Sequence, residues 1–185
     1  MINFDFAALR LIGLSPAILN QLQVLATQFP EDSELHVVRI TEVHRNRVVL
    51  HDGHHALSAQ LAPALQQQTQ DAGQALAVGD WGLSTSPDTM PYQLLAQMPA
   101  QTQLARRNPE GRLQVLATNI DSALLVMGLD HDFNLRRLER YLALVEDAGV
   151  TPVVILSKAD QYLHGSQKLA ELQQRLPAHI AVFAL

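Results

Sequence analysis

The hydrophobic pattern changes character twice along the chain. In residues 1–33 it is helical. Ser15-Pro16 supplies an N-cap with proline at the first helical position, Ile18, Leu22 and Leu25 share one face, and Pro30 ends the run. From Glu34 the period shortens. Residues 35–40 and 47–50 read as strands joined through His44-Arg45-Asn46, Asp52-Gly53 marks a tight turn, and residues 56–61 alternate as a third strand. The Gln/Ala-rich stretch 62–77 reads as a solvated loop or short helix, and Val78-Gly79-Asp80-Trp81-Gly82-Leu83 opens another strand. Short strands punctuated by turn residues predict a small β-barrel over 34–100. Residues 84–115 are polar, and Arg106-Arg107-Asn108-Pro109-Glu110-Gly111-Arg112 reads as an interdomain loop, which puts a linker at 101–116.

From residue 117 onward the pattern is α/β. Ala123-Leu124-Leu125-Val126-Met127 is an unbroken apolar run, as expected for a strand covered on both faces. Asp132 or Asn134 is placed to cap a helix whose face carries Leu135, Leu138, Leu142 and Val145, and Gly149 closes it. Pro152 leads into a second strand, Val153-Val154-Ile155-Leu156, so a parallel βαβ unit is expected. A helix over about 166–176 and a strand at 180–183 complete the region 117–185. The fold class expected is a small barrel followed by part of a Rossmann-like parallel sheet with helices.

Composition narrows the partners. A formal charge of −5 with 17% charged residues argues against broad capture of nucleic acid or membrane, without excluding a local basic patch. There are no cysteines, hence no disulfide framework and no thiolate metal site. The N-terminal residues lack a basic segment ahead of an apolar core, and no apolar run reaches membrane-spanning length. A cytoplasmic protein without a membrane partner is expected.

The chemistry concentrates at Ser157-Lys158-Ala159-Asp160, directly after the second strand. Open α/β sheets keep ligand-binding groups at the C-terminal ends of their strands. An aspartate there can accept hydrogen bonds from the N1–H and exocyclic amine of guanine, while a neighbouring lysine lays its alkyl stem over the base. The plainer alternative is a strand-to-helix turn with Asp160 as a cap. Other candidates have plainer readings too. Asn119 and Asp121 suit a turn into the first strand of the α/β region, and Asp130, His131 and Asp132 suit helix capping better than metal ligation. His51, Asp52, His54 and His55 suit a solvated hairpin turn, and Trp81 suits core packing better than base stacking. Arg39, Arg45 and Arg47 could contact nucleic-acid phosphates or form a solvated basic edge.

Taken in order, these segments resemble the RsgA (YjeQ) family, the circularly permuted GTPases that depend on the small ribosomal subunit. Val37-Val38-Arg39 and Val78-Gly79-Asp80-Trp81 are similar to the family's OB-fold strands, and Arg106-Arg107 with Gly111 to its linker. Ala117-Thr118-Asn119-Ile120-Asp121 resembles the opening of its GTPase domain. Asn134 to Leu142 resembles the first helix, and Ser157-Lys158-Ala159-Asp160 the Asn/Thr-Lys-x-Asp guanine motif, with serine in first place. The resemblance implies a GTP hydrolase assisting late maturation of the small (30S) subunit. Its OB domain would dock on rRNA, and its site would bind GTP and GDP through Ser157, Lys158 and Asp160. It also implies Mg2+ with the nucleotide and a zinc domain beyond this region. The sequence contains neither a Gly-Lys dipeptide nor an Asp-x-x-Gly, so the phosphate loop and a switch motif are missing and no catalytic residue is expected in this chain. The expectation is therefore an N-terminal fragment that neither hydrolyses GTP nor binds it tightly. Its exposed sheet edge would also give a dimer, a domain-swapped form or a marginally stable C-terminal half. The alternative is a non-catalytic rRNA- or protein-binding module, truncated or degenerate.

Overall fold

The computed structural model describes residues 2–73, 75–131, 133–161 and 165–185. It divides into two compact units, Met1–Gln103 with Val115–Asn119, and Leu104–Gln114 with Ile120–Leu185.

In the first unit a short strand β1 (Ile2–Asn3) precedes α1 (Phe6–Leu11) and α2 (Pro16–Ala26). Asp5 caps α1 by accepting from the Ala8 amide at 3.1 Å, and Ser15 caps α2 through the Ile18 amide at 3.2 Å. Next come β2 (Leu35–Val43), β3 (Val48–His51), β4 (Ala56–Leu61), α3 (Pro63–Asp71), β5 (Trp81–Ser84) and β6 (Gln93–Gln97). The sheet order β2-β3-β4-β6-β5, with β5 returning to pair with β2, closes the barrel. The closure depends on β6, which lies within the span expected for the barrel but in the polar stretch 84–115, where the sequence pattern predicts no strand. It runs parallel to β4 over only Gln60–Gln93 and Leu61–Leu94. A five-residue strand ending in glutamines at both sides carries little periodic signal.

Two cores sandwich β2. Val38 and Ile40 point into the barrel with Val48, Leu50, Ala59, Leu65, Tyr92 and Leu94. Leu35 and Val37 point outward, under Leu9, Leu14, Ile18 and Leu22, together with Trp81 and Leu83. The N-terminal helices thus cover one outer face of the barrel and belong to its unit.

The arginine-rich segment is also ordered. β7 (Gln103–Arg107) and β8 (Leu113–Thr118) form a two-stranded ribbon. Its turn is held by Asn108, whose side chain accepts from the Arg112 amide at 2.8 Å, with Gly111 at φ +76°.

In the second unit β9 (Ser122–Gly128), β10 (Thr151–Ser157) and β11 (Ala181–Ala184) are parallel, with β10 central. Helix α4 (Leu135–Asp147) links β9 to β10, and α5 (Gly165–Arg175) lies between β10 and β11. Asn134 caps α4 by accepting from the Arg137 amide at 3.0 Å, while Asp132 lies outside the described residues. Leu138 and Leu142 of α4, and Leu172 and Leu176 beside α5, pack on Met127, Val154 and Leu156. Alternate residues of β9 face the other way, and Leu124 and Val126 are 66% and 65% exposed. The expectation of a strand covered on both faces is therefore corrected, because both helices pack on one face. An OB-like barrel followed by a Rossmann-like parallel sheet with helices is the architecture, as the sequence led one to expect.

One buried carboxylate organises the barrel's lower end. Asp80 is fully buried and accepts from the Ala77 amide at 2.8 Å, Gln97 Nε2 at 2.7 Å and Thr118 Oγ1 at 2.6 Å. Desolvation raises its pKa, opposed by these three hydrogen bonds and by the charge of Arg39. We predict that Asp80→Ala, which strands all three donors, destabilises the unit by about 2–4 kcal/mol in urea unfolding. Asp80→Asn is predicted to lose less. Its amide oxygen can accept from Ala77 and Gln97, and its Nδ2 can donate to Thr118, whose hydroxyl already approaches the Val78 carbonyl at 3.3 Å. The difference in stability between wild type and Asp80→Asn isolates the carboxylate. Because its folded pKa is raised, this difference shifts towards wild type as pH falls through the raised value to the ordinary 3.8.

Candidate functional site

The polar turn after β10 is built by the sheet beneath it. In register with its neighbours, Ser157 lies opposite Gly128 of β9, and Leu156 opposite Ala184 of β11. Beyond the ladder the Ser157 carbonyl accepts from the Leu129 amide at 2.9 Å, and the Leu156 carbonyl from the Leu185 amide at 2.8 Å. Lys158 then turns the chain with φ +61°, a left-handed conformation that costs a non-glycine residue about 1 kcal/mol or more. The Ala159 amide donates to the Leu185 carbonyl at 2.8 Å, and a short 3-10 helix, Ala159–Gln161, carries Asp160 outward.

The side chains fall into two kinds. Asp160 is exposed, and among the described residues no hydrogen bond or ion pair engages its carboxylate. Lys158 is half exposed, and its Nζ lies 2.5 Å from Asp130 Oδ2. Ser157 is partly buried, where its backbone braces the turn. The structure thus brings Ser157, Lys158 and Asp160 to one strand end and adds Asp130, for which the sequence had offered helix capping or metal ligation.

The basic candidates on the barrel separate. Arg45 and Arg47 are exposed at the β2–β3 hairpin. Arg39, placed among possible phosphate contacts, is turned inward. Its neighbours along β2 on the same side are Leu35 and Val37, so it points beneath the N-terminal helices rather than to solvent. There its guanidinium donates to the carbonyls of Ile12, of Gly79 at 3.4 Å and of Asn119 at 2.7 Å, and stacks 5.4 Å from the centre of the Trp81 ring. Trp81 is fully buried, as the packing reading expected.

Asn119 serves the turn. It sits at φ +50°, donates Nδ2 to the Gly79 carbonyl at 3.0 Å and accepts from the Gln101 amide at 2.8 Å. Gly79 itself has φ +98°, and a Cβ there would stand 2.0 Å from the Thr118 carbonyl oxygen, so only glycine fits. In the histidine-rich hairpin, Asp52 accepts from the His54 and His55 amides at 2.8 and 2.7 Å. Desolvation works to raise its pKa, but these backbone bonds hold it below its ordinary value. His54 reaches Asp5 at 3.1 Å. Among the described residues no group of three or more histidines and acids is assembled that could hold a metal ion.

Comparison with known proteins agrees with this arrangement. Residues 97–184 match the RsgA GTPase family. The small ribosomal subunit biogenesis GTPase RsgA of Xanthomonas oryzae pv. oryzae (strain PXO99A) is 39% identical over 150 residues, 80% of this chain and 40% of the relative. Over this stretch the chain is a member of the RsgA/YjeQ family. An RsgA of Xanthomonas campestris pv. campestris (strain B100) is 38% identical over the same length. The chain spans about 40% of the length of these curated RsgA relatives. Two solved structures share the fold. YjeQ from Thermotoga maritima has a TM-score of 0.65 at 17% identity, over 81% of this chain and 51% of its own. YloQ, described as a circularly permuted GTPase, has a TM-score of 0.61 at 15% identity, over 84% of this chain and 53% of its own. Among the described residues no helix of this RsgA-family chain is long and apolar enough to cross a membrane.

The inward placement of Arg39 predicts a sharp contrast among the three arginines. Arg39→Met should destabilise the barrel unit by about 2–4 kcal/mol, because three backbone carbonyls lose a charged donor. Arg45→Ala and Arg47→Ala should each stay within about 0.5 kcal/mol of wild type in the same urea titration.

Proposed function

We propose that this chain carries the guanine-selecting turn and the ribosome-docking barrel of a GTPase that acts in biogenesis of the small ribosomal subunit. In this reading residues 34–100 dock on rRNA, 101–116 link, and 117–185 form the first part of the GTPase domain. The observation that carries it is the exposed Asp160 carboxylate at the C-terminal edge of a parallel sheet, which no hydrogen bond or ion pair engages among the described residues, beside a turn tied to both neighbouring strands through Ser157 and Ala159. A carboxylate so placed accepts two parallel N–H donors, which guanine supplies on its N1 and exocyclic amine. Ser157 braces the turn, and Lys158 offers its stem to the face of the base.

The chain's own residues account for base selection and not for phosphate chemistry. The family role implies GTP with Mg2+, but the described residues assemble no cluster of acids for a cation, and the sequence carries no phosphate-loop motif. Zinc, implied for the family's last domain, finds no thiolate in this chain.

Exchanging the recognised edge tests the turn. Asp160→Asn replaces one acceptor by a donor, which suits xanthine, whose 2-position carries a carbonyl. Wild type should favour GDP over xanthosine diphosphate by at least about tenfold, and Asp160→Asn should reverse the order, read by NMR titration of the 185-residue chain. An unchanged preference contradicts the reading.

A second reading, a binding module that works without nucleotide, is favoured by a groove of about 590 Å³ on the barrel. Its walls include Asn46, Arg47, Leu57, Ser58, Met90 and Pro91. OB-fold barrels bind oligonucleotides on such faces. If rRNA phosphates meet Arg45 and Arg47, the double alanine variant should lower the salt slope of small-subunit binding by about 2. If the module acts alone, GDP should leave that binding unchanged.

A further inference from the structure

We propose that Asp130 is a positioning residue for guanine recognition, acting through Lys158; this rests on the guanine reading of the turn. The two residues are 28 positions apart and meet because β9 and β10 run in register, with Gly128 opposite Ser157. Each strand sends the chain past its end, and the Leu129 amide, bonded to the Ser157 carbonyl at 2.9 Å, fixes the two exits side by side. Lys158 Nζ then lies 2.5 Å from Asp130 Oδ2.

The carboxylate is itself held in a shaped place. It is only 25% exposed, half the exposure of the lysine side chain at 50%. It folds back over Gly128, where a Cβ would stand 2.8 Å from Asp130 Oδ1. Glycine there leaves room for the carboxylate, which a Cβ would displace, and Gly128 has no left-handed φ that would otherwise require it. At the other end, the Lys158 backbone is fixed by its left-handed turn.

Pinning Nζ therefore fixes both ends of a side chain that otherwise samples many rotamers. A base stacking on the lysine stem meets a wall already in place, and the ammonium charge is met by a carboxylate rather than left facing the base. The stem then discriminates by shape, and Asp160 by hydrogen bonding. Asp130 touches neither nucleotide edge in this scheme, so its effect passes entirely through Lys158.

The test is an NMR titration of the full 185-residue chain with GDP and xanthosine diphosphate, on wild type, Asp130→Asn, Asp130→Glu, Gly128→Ala and Asp160→Asn. Asp130→Asn should bind GDP about three- to fivefold more weakly, the range of a partly exposed ion pair, without change in melting temperature. Asp130→Glu should recover most of that loss. Gly128→Ala, which displaces the carboxylate without removing its charge, should weaken binding similarly. The wild-type advantage over Asp130→Asn should shrink in 1 M NaCl, which screens the pair. If Asp160→Asn reverses the base preference but Asp130→Asn binds GDP as wild type does, the positioning role is wrong and the guanine reading stands. If Asp130→Asn binds weakly only because its melting temperature falls, Asp130 is merely structural and the proposal fails. If wild type shows no GDP shifts, or Asp160→Asn no reversal, the guanine reading fails and takes the proposal with it.

Discussion

The Ala159 amide donates to the Leu185 carbonyl, and the geometry of the site depends on that bond. It couples the polar turn after the central strand to the third strand. On the opposite side Leu129 performs the same service from the first strand. Between them the Lys158 backbone is forced into a left-handed conformation that no isolated Ser-Lys-Ala-Asp peptide would favour. The turn is thus a product of three-strand pairing. Strand β11 in turn depends on α5, whose Leu172 is buried with Leu176 and Ile180 against Val154 and Leu156. Apolar packing on one face of the sheet therefore stabilises the polar geometry at its end.

The barrel reverses the arrangement. There a polar cluster lies within the apolar packing, with Asp80 gathering Ala77, Gln97 and Thr118, and Arg39 gathering Ile12, Gly79 and Asn119. Each buried group is satisfied by others in the cluster, with the Trp81 indole N–H as the exception among the described residues. Such a cluster is intolerant of partial removal, because each deletion strands several donors or acceptors at once. It also explains why Val78-Gly79-Asp80-Trp81 is a dense sequence signature without being a binding motif.

Sequence reasoning succeeded where one rule governed a segment. The βαβ pattern, the caps at Ser15 and Asn134, and the turn after Leu156 follow from local periodicity and end chemistry. It failed where tertiary partners decide. Strand β2 is buried on both faces, so Arg39 carries no local mark of its inward direction. The β6 strand exists because β4 and β5 need a bridge between them, which its glutamine-bounded sequence does not announce. The apolar run of β9 suggested cover on both faces, whereas Leu124 and Val126 are exposed. The Lys158–Asp130 pair depends on register across a crossover and has no signature at all in residue spacing.

The sheet forms the turn, which needs no nucleotide to shape it. Amide hydrogen exchange of the nucleotide-free chain addresses this directly at Ala159, whose N–H has one assigned partner, the Leu185 carbonyl. A turn built by strand pairing should protect that amide to an extent comparable to the amides of β10. Exchange at the rate of an exposed loop, with β10 still protected, would contradict it.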